Sequence, residues 1–547
     1  FPPPEKDATG VDTPVLLTTT TRTSSNGTDT QCTTAEVARS TLSGLTVMDS
    51  SPNGVLMRYA FDALGRQVAE TVAANSEFSA TTTSTYVVEA SGSRIHKRSV
   101  TGQESIVELD GFGTAVRVLA YNWNDDGNER EIWRASFDAR GRKKSETTTD
   151  VGLPVASVPP PYAPGIRVPT TVGAIETTTT YVYDGWDNVT ETHGADGVVG
   201  YHVVDPVAGV AERWKEADGP EGRIVGQRTR VQRTISGKPR HVDTLEADGR
   251  LCHSEYSTYD GLDRLVEHTV IIADDPGAGR VTRYTYDVYD RVVSTTRPDG
   301  AVITTEYAGY TDAALVVALR IRHPSLGTDD IVLGRQAYDG LGRRILFQAG
   351  QRQTTFHYAS STSASPDNMT LPSGETVAYR YQAHLGDSLL EATSSDGVTT
   401  FTHDNTTGDT RSISNVLGTH TIDYDASGHR ASEAFHHKGV ADEKHCTYRY
   451  SLRGVLTEYT DVSGDRHTLI YDALRRFVRM ESDDVSVDIT YDAVSREQHN
   501  LTQSGDGARS MTIDLSFDGA DRELERVVTA RSDAQVVVQT LSQSYTP

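Results

Sequence analysis

Aspartates recur through this 547-residue sequence in one short phrase, and paired carboxylates are the groups that general acid–base catalysis requires. The phrase reads Tyr-Asp, two or three residues, Gly or a polar substitute, and often Arg, as in YDGLGR at Tyr338. A catalytic pair needs two carboxyl groups in different environments, whereas these aspartates are many equal copies. We therefore expect Asp339, Asp425, Asp472 and Asp492 to cap turns by accepting backbone N–H groups, and we expect no enzymatic activity.

Two other groups of residues are of types whose side chains bind metal ions. The run that begins at Asn122 places oxygen ligands at alternate positions before Gly127, like the front of a calcium loop. Its twelfth position is Trp133, where a bidentate Glu is required, so a polar turn is the favoured interpretation. No helix-spaced or Cys-supported ligand set accompanies His436 and His437. We expect neither a metal nor a cofactor.

The residues around each Asp predict the elements that position it. Val485, Val487, Ile489 and Tyr491 alternate with polar residues, which indicates a strand with one apolar and one polar face. The Asp-x-x-Gly that follows a Tyr is typical of a turn, because Gly tolerates positive φ. A second strand and a second turn, such as that at Gly464, complete a unit. One unit is therefore predicted to be an antiparallel hairpin.

Side chains of the phrase are also expected to join neighbouring units. The arginines can reach the carboxylate of the same or an adjacent turn, which fixes register more than it adds stability. The tyrosines are expected to hold units together through cross-strand aromatic pairs. The residues assigned to the repeat are Phe61, Asp62, Gly65, Arg66, Phe137, Asp138, Gly141, Arg142, Tyr183, Asp184, Tyr259, Asp260, Arg264, Tyr286, Asp287, Arg291, Tyr338, Asp339, Gly342, Arg343, Tyr424, Asp425, Tyr471, Asp472, Tyr491, Asp492, Phe517 and Asp518.

The phrase returns at a period typical of a repeat architecture. Most successive copies lie about 20 to 28 residues apart, and about 19 units run from Phe61 to Phe517. At two strands per unit and ~4.8 Å per strand, the sheet would be roughly 190 Å wide. A sheet of that width cannot stay flat, because strand twist accumulates. The sequence therefore predicts an all-β fold, a wide antiparallel sheet of repeat hairpins that spirals into a hollow shell segment.

Two regions depart from the repeat. Residues 1–45 are rich in Pro, Thr and Ser, and we predict an extended lead-in or a few severed strands. Residues 46–547 carry the repeat. Within them, the proline-rich stretch 151–175 is predicted to be an inserted loop that leaves the sheet, because proline removes donors from a strand ladder.

Composition excludes several classes of protein. The formal net charge is −24 with scattered Lys and Arg, which excludes nucleic-acid binding through a basic face. The hydrophobic fraction of 36% suits a sheet that is wetted on at least one face. Cys32, Cys252 and Cys446 are too few and too far apart for a disulfide framework. No apolar run approaches the ~20 residues that span a bilayer, so we expect no direct membrane insertion.

The repeated phrases resemble the RHS or YD repeats of bacterial Rhs toxins, of the B and C components of Tc insecticidal toxin complexes, and of animal teneurins. The segment that begins at Tyr284 and runs through the Leu315 region is most similar to the Tc B component. The copies that carry the resemblance are those at Phe61, Phe137, Tyr259, Tyr338 and Tyr471.

The resemblance implies a secreted β-shell that encloses a toxic C-terminal polypeptide until delivery. The implied partners are the enclosed toxin polypeptide, a C-type shell partner or the remainder of the same chain, and a pore-forming A component that binds through regions outside this sequence. The self-cleavage ending and the propeller-like docking module of the family have no counterpart here, so the resemblance implies shell wall only. The alternative is extracellular adhesion or glycan binding, which the teneurin branch implies and which predicts exposed aromatic clusters on one loop.

Overall fold

The computed structural model describes most of the chain. The described residues are 5–6, 12–13, 15–74, 76–90, 92–121, 127–158, 168–219, 222–272, 275–327, 329–494, 496–505, 507–517, 522–532 and 535–543. The only helices among them are the short 3-10 turns Pro324–Leu326 and Ala383–Leu385. No helix in these ranges is both long and apolar enough to cross a membrane.

Strands account for nearly all the regular structure. In chain order they are β1 (Glu5–Lys6), β2 (Asp12–Thr13), β3 (Val15–Ser25), β4 (Thr30–Ser40), β5 (Thr46–Ser50), β6 (Leu56–Phe61), β7 (Gln67–Val72), β8 (Ala80–Glu89), β9 (Gly92–Arg98), β10 (Glu104–Leu109), β11 (Ala115–Tyr121), β12 (Glu129–Phe137), β13 (Lys143–Ala156), β14 (Thr170–Tyr183), β15 (Val189–His193), β16 (Val199–Asp205), β17 (Val210–Gly219), β18 (Gly222–Val225), β19 (Arg228–Arg233), β20 (Pro239–Leu245), β21 (Leu251–Tyr259), β22 (Leu265–Ile272), β23 (Asp275–Tyr286), β24 (Val292–Thr296), β25 (Val302–Tyr307), β26 (Val316–Arg322), β27 (Ile331–Tyr338), β28 (Arg344–Ala349), β29 (Arg352–His357), β30 (Asn368–Thr370), β31 (Thr376–Gln382), β32 (Ser388–Ser394), β33 (Gly397–His403), β34 (Thr410–Asn415), β35 (Gly418–Tyr424), β36 (Arg430–His437), β37 (Lys444–Tyr450), β38 (Leu456–Thr460), β39 (Arg466–Tyr471), β40 (Phe477–Glu481), β41 (Val485–Tyr491), β42 (Glu497–Ser504), β43 (Ser510–Phe517), β44 (Glu523–Arg531) and β45 (Val536–Ser542).

The strands pair as successive antiparallel hairpins. From β41 to β45, for example, each strand pairs with the next one along the chain. The chain divides into two compact units, whose larger segments are Phe1–Thr114 with Thr285–Lys444 in unit 1 and Asn128–Tyr284 with His445–Pro547 in unit 2. The predicted fold class, an all-β antiparallel sheet of YD-repeat hairpins, is confirmed.

A register shift recurs where the anchor aromatic residue ends its strand. Thr490 pairs with His499, whereas Tyr491 pairs with Glu497, so one residue of β42 is left over. The same shift precedes Phe61, Tyr338 and Tyr471, as well as other anchors. A bulge of this kind bends the strand and increases its local twist, and it therefore sets the direction in which each aromatic side chain leaves the sheet.

The prediction of an inserted loop over 151–175 is wrong for its two arms. Residues 151–156 lie in β13 and pair with 170–174 of β14, and Pro154 lies opposite Val172. The ladder accommodates the proline because it follows a register shift between Val151 and Leu153, where the regular hydrogen bonding is already interrupted. Residues 159–167, at the tip of this hairpin, lie outside the described residues.

The boundary predicted at residue 45 does not interrupt the sheet. Strand β4 pairs on one side with β3 and on the other with β5, which begins at Thr46. The short pair β1–β2 forms a separate two-stranded sheet. Residues 15–40 therefore form a hairpin of the repeat ladder in unit 1.

Little of the protein is packed as a conventional core. The chain exposes 31105 Å², whereas a compact monomer of 59.5 kDa exposes about 19,000 Å². Two small apolar clusters lie in unit 2: Val168, Ile470 and Val478 form one, and Leu153, Ile175 and Tyr471 form the other. Most strand residues are half-buried or exposed on both faces of the sheet. Hydrogen bonds along the ladder, more than apolar packing, connect successive strands.

Candidate functional site

Each repeat turn is built around one aspartate. Asp62 Oδ1 accepts the backbone N–H groups of Leu64 at 2.9 Å and Arg66 at 3.0 Å. Its other oxygen accepts from Nε and a terminal nitrogen of Arg66, both at 2.7 Å. The backbone N–H of Gly65 donates to the Asp62 carbonyl at 2.9 Å, which closes the turn. The hydrogen bond from Arg66 holds the pKa of the Asp62 carboxyl below its usual range.

The same arrangement recurs along the sheet. In the variant turns, Asp184 accepts from the side-chain amide of Asn188 at 3.0 Å, and Asp425 lies 3.5 Å from the ring Nδ1 of His429. Asp518 lies outside the described residues. The pairs in which the aspartate accepts both the backbone N–H and the Nε of the arginine are Asp138 with Arg142, Asp260 with Arg264, Asp287 with Arg291, Asp339 with Arg343, Asp472 with Arg476 and Asp492 with Arg496.

A left-handed residue follows at the fifth position of the phrase, counted from the Tyr or Phe. Glycine occupies it at Gly65, Gly141 and Gly342, with φ of 77°, 78° and 81°. Asp263 and Arg475 adopt the same conformation, each with φ of 64°. Left-handed backbone is costly for residues with a Cβ, so the turn's hydrogen bonds must stabilise it at these two positions.

The tyrosines connect one unit to the preceding one. The Tyr491 hydroxyl donates to the carbonyl of Phe477 at 2.7 Å, and the guanidinium of Arg476 lies 4.6 Å from the centre of the Tyr491 ring. Tyr183 has the same two contacts with the preceding turn, where its hydroxyl donates to Lys143 at 2.7 Å and its ring lies 4.6 Å from Arg142. The contact is a cation–π stack with a hydrogen bond, whereas aromatic pairs were expected.

Degenerate copies of the repeat keep this contact. The Tyr86 hydroxyl donates to the Gln67 carbonyl at 3.3 Å, and the guanidinium of Arg66 lies 4.3 Å from the centre of the Tyr86 ring.

Among the remaining anchors, Phe517 has no hydroxyl but lies 5.0 Å from the guanidinium of Arg496. Phe61 and Phe137 end β6 and β12, and Tyr286 ends β23. The other tyrosine hydroxyls donate to carbonyls of the preceding unit as follows: Tyr259 to Pro239, Tyr338 to Val316, Tyr424 to Thr410 and Tyr471 to Leu456.

Unit 1 contains a contact between distant parts of the chain, here called the unit 1 seam. The turn Asn26–Asp29, between β3 and β4, lies against the repeat turn that begins at Tyr338. The side-chain amide of Asn26 donates to the Tyr338 carbonyl at 3.0 Å, and Arg343 donates to the Gln31 side chain at 2.8 Å. Gly340 fits between them: a Cβ there would lie 2.8 Å from a backbone oxygen of the hairpin.

Unit 2 has its own seam, formed by β13 with the turn after β37. Asp150 is fully buried, and its carboxylate accepts the Ser451 hydroxyl at 2.9 Å and the N–H groups of Val151 and Arg453 at 2.9 and 3.1 Å. The Leu452 N–H donates to the Val151 carbonyl at 2.9 Å. This buried carboxylate is satisfied entirely by hydrogen bonds, which is what allows it to remain inside.

Two further contacts extend the unit 2 seam. Val155 of β13 pairs in parallel with Tyr471 of β39, and burial raises the pKa of Tyr471 to about 12. The left-handed Arg475 donates to the hydroxyls of Thr148 and Thr177 at 2.9 and 3.2 Å. The seam residues escape sequence analysis because their partners lie some 300 positions away and no local motif marks them.

The candidate metal ligands do not converge in the described part of the chain. No group of three His, Cys, Asp or Glu side chains there is arranged to hold a metal ion. His436 and His437 are exposed at the end of β36, and the residues from Asn122 to Asp126 lie outside the described ranges. Cys252 is buried, which raises the pKa of its thiol to about 11, and Cys446 is also buried.

Solved structures with similar strand arrangements include Tc toxin complexes. The crystal structure of TcdB2-TccC3-Cdc42 is 11% identical, with 96% of this chain and 32% of that chain covered and a TM-score of 0.42. For the Tc holotoxin pore of Photorhabdus luminescens the identity is 10%, the coverage 95% and 31%, and the TM-score 0.43. A porin-like protein of Bacteroides uniformis is 10% identical with a TM-score of 0.10, covering 73% of this chain and 89% of that chain. This chain spans about a third of the toxin chains it matches.

One family model matches the sequence. No curated protein matches it. Residues 259–302 match the model described as RHS Repeat. They comprise the turn of Asp260 and Arg264, the turn of Asp287 and Arg291, and the strands between and after them. The resemblance inferred from the repeated phrases is thus confirmed over this segment, which is an RHS repeat.

Proposed function

We propose that this protein is a wall segment of a hollow shell that encloses another polypeptide. The observation that carries the proposal is the ladder of hairpins within each unit, which has no core of matching size among the described residues. Its surface exceeds that of a compact protein of the same mass by more than half, and the two apolar clusters found in the described ranges are small and lie at the unit 2 seam. A sheet with two wetted faces is suited to separate an interior solvent space from the exterior.

The RHS repeat supports the class of shell. RHS or YD repeats occur in the shells of Tc B and C components and of Rhs toxins, so the enclosed polypeptide would be a toxin and the shell would be secreted with it. A C-type partner or the remainder of the same chain would complete the enclosure. A pore-forming A component would bind through regions outside this sequence, and insects are the proposed target.

The proposal assigns the repeat a structural role and no catalysis. Each repeat aspartate whose partners are described is engaged by N–H groups of its own turn and by the side chain four positions on, as Asp62 is by Arg66. For Asp184 and Asp425 that side chain is Asn188 and His429. An aspartate held in this way is an acceptor with all its strong contacts made, and it has no free oxygen aimed at a substrate.

Electron microscopy of the full-length protein tests the proposal. We expect a central void that contains density for a second polypeptide or a chain terminus. Trypsin digestion of the same sample should leave that polypeptide intact until the shell is unfolded in urea. A solid particle without a void, or cleavage of the polypeptide at the same rate as in urea, would contradict the enclosure.

A further inference from the structure

One cavity of unit 2 has a charge composition opposite to that of the whole protein. It has a volume of about 660 Å³, within the size range of small-molecule sites. Among the described residues, its lining contains Arg213, Lys215 and Arg496 and no Asp or Glu, although the chain has 76 acidic and 52 basic residues. This local excess of positive charge in an acidic protein requires a structural explanation.

Strand β17 separates its charges between the two faces of the sheet. Successive side chains of a strand point to opposite faces, so Arg213 and Lys215 share one face of β17, while Glu212, Trp214 and Glu216 share the other. Arg213, Trp214 and Lys215 all line the cavity, which therefore receives residues of both faces. The glutamates are paired: Glu212 accepts from Arg230 at 2.6 Å, and Glu216 is bound by Arg223. These two glutamates are therefore bound by Arg230 and Arg223 and not by Arg213 or Lys215.

Arg213 and Lys215 have no carboxylate partner among the described residues. In the register of the sheet, Arg213 lies opposite His202 on β16 and Thr229 on β19, and Lys215 lies opposite Gly200. Burial and the charge of Arg213 lower the pKa of His202, so this neighbour is neutral at physiological pH. Two cations thus line the same cavity without a carboxylate counter-ion from the part of the chain that the structure describes.

The space beside the cations is kept open by glycine. A Cβ on Gly200, opposite Lys215, would meet nothing closer than 3.9 Å, so this position leaves a hollow that a larger side chain would fill. Val494, Phe517 and Ile224 contribute apolar surface to the lining of the same cavity. Arg496, already bound to Asp492 at 2.6 Å, stacks over Phe517 and fixes that ring.

We propose that this cavity binds an organic anion with an apolar body. Its carboxylate lies between Arg213 and Lys215, where charge-assisted hydrogen bonds are strongest, and its apolar part packs against Ile224, Val494 and Phe517. A free aryl carboxylate and the C-terminal Phe of a peptide share this chemistry. The proposal rests on the cavity alone and is independent of the enclosing role.

Calorimetric titration of the full chain tests the site with two matched pairs of probes. N-acetylphenylalanine and its amide represent the free anion, and the peptide acetyl-Ala-Ala-Phe with a free or an amidated C-terminus represents the chain end. We expect each carboxylate to bind at least tenfold more tightly than its amide. We also expect the affinity of each carboxylate to weaken several-fold when the salt concentration is raised from 50 to 500 mM. The tighter of the two carboxylates identifies the source of the ligand.

Variants assign the binding to this cavity. Arg213→Gln with Lys215→Gln should weaken carboxylate binding at least tenfold and leave the amides unchanged, and Gly200→Val should abolish binding of all four probes. Arg230→Gln, on the opposite face of the same sheet, is the matched control and should retain full affinity. Urea midpoints establish that each variant is folded. Absence of carboxylate binding, equal binding of carboxylate and amide, or affinity unchanged by the double substitution would overturn the proposal.

Discussion

The hydroxyl of Tyr491 donates to the backbone carbonyl of Phe477 at 2.7 Å. Phe477 directly follows Arg476 in the sequence, and the guanidinium of Arg476 covers the Tyr491 ring. The residue that opens one repeat turn therefore holds the preceding turn. Because Arg476 is itself fixed by Asp472 at 2.7 Å, the contact continues from carboxylate to guanidinium to ring. This relationship explains why Asp, Arg and Tyr return together along the sequence.

Removal of that hydroxyl measures the strength of the connection between units. Tyr491→Phe keeps the ring under Arg476 but leaves the Phe477 carbonyl without its donor, and we expect a loss of about 1 kcal/mol of unfolding free energy. Urea denaturation followed by circular dichroism provides the measurement. Tyr289→Phe is the control, since Tyr289 is 55% exposed. Equal urea midpoints for the two variants would show that the hydroxyl does not connect the units.

Local chemistry explains why the turns could be predicted from the sequence. The residues that form the turn at Asp339 lie within five positions of one another, so Asp, Gly and Arg types are enough to indicate it. The alternation of residue types also predicted the strand Val485–Tyr491. Its polar side chains Ser486 and Asp488 are nevertheless buried, which the alternation did not indicate. The bulge before Tyr491 was missed because period-two patterning does not reveal a single extra residue on the partner strand.

The seams could not be predicted, because they depend on how far the ladder turns before it meets itself within a unit. Nothing near Asp150 indicates that its partner is Ser451, and nothing near Gln31 indicates Arg343. The error at Pro154 has a related cause. The rule that proline leaves a sheet holds for regular ladder positions, whereas this proline follows a bulge.

Gly340 provides a test of the unit 1 seam with an internal control. In Gly340→Ala the new methyl group would lie 2.8 Å from the Ser24 carbonyl and 2.9 Å from that of Asp29, so the β3–β4 hairpin must move. We expect a loss of about 1–3 kcal/mol and faster amide exchange in residues 15–40. Gly261 occupies the same position of another repeat with nothing within 4 Å, and Gly261→Ala should change neither quantity. Unchanged exchange in Gly340→Ala would refute the docking of the hairpin.

Asp150 tests the unit 2 seam. Asp150→Ala removes the acceptor of the Ser451 hydroxyl and of two backbone N–H groups inside the protein, and we expect destabilisation of about 2–4 kcal/mol. Chymotrypsin should then cut near Leu452 in the variant and not in the wild type. Asp396→Ala, at an exposed turn, should leave both the urea midpoint and the cleavage pattern unchanged. If both variants lost the same stability, the buried carboxylate would have no special role.

The loss of stability at low pH provides the last prediction, because hydrogen bonds from arginine lower the carboxyl pKa of turn aspartates such as Asp62 and Asp260. For Asp404, the hydrogen bond from Arg411 at 2.8 Å lowers the carboxyl pKa from 3.8 to about 2. A carboxyl with a lowered folded-state pKa adds stability above its unfolded pKa, and this contribution disappears as the pH falls through the folded value. The stability difference between the wild type and Asp404→Asn should therefore be constant from pH 7 to about 5 and shrink between about pH 4 and pH 2. Urea midpoints across that range measure it, with Asp396→Asn as the control. A difference that stays constant down to about pH 2 would show that the Asp404–Arg411 pair does not stabilise the folded turn.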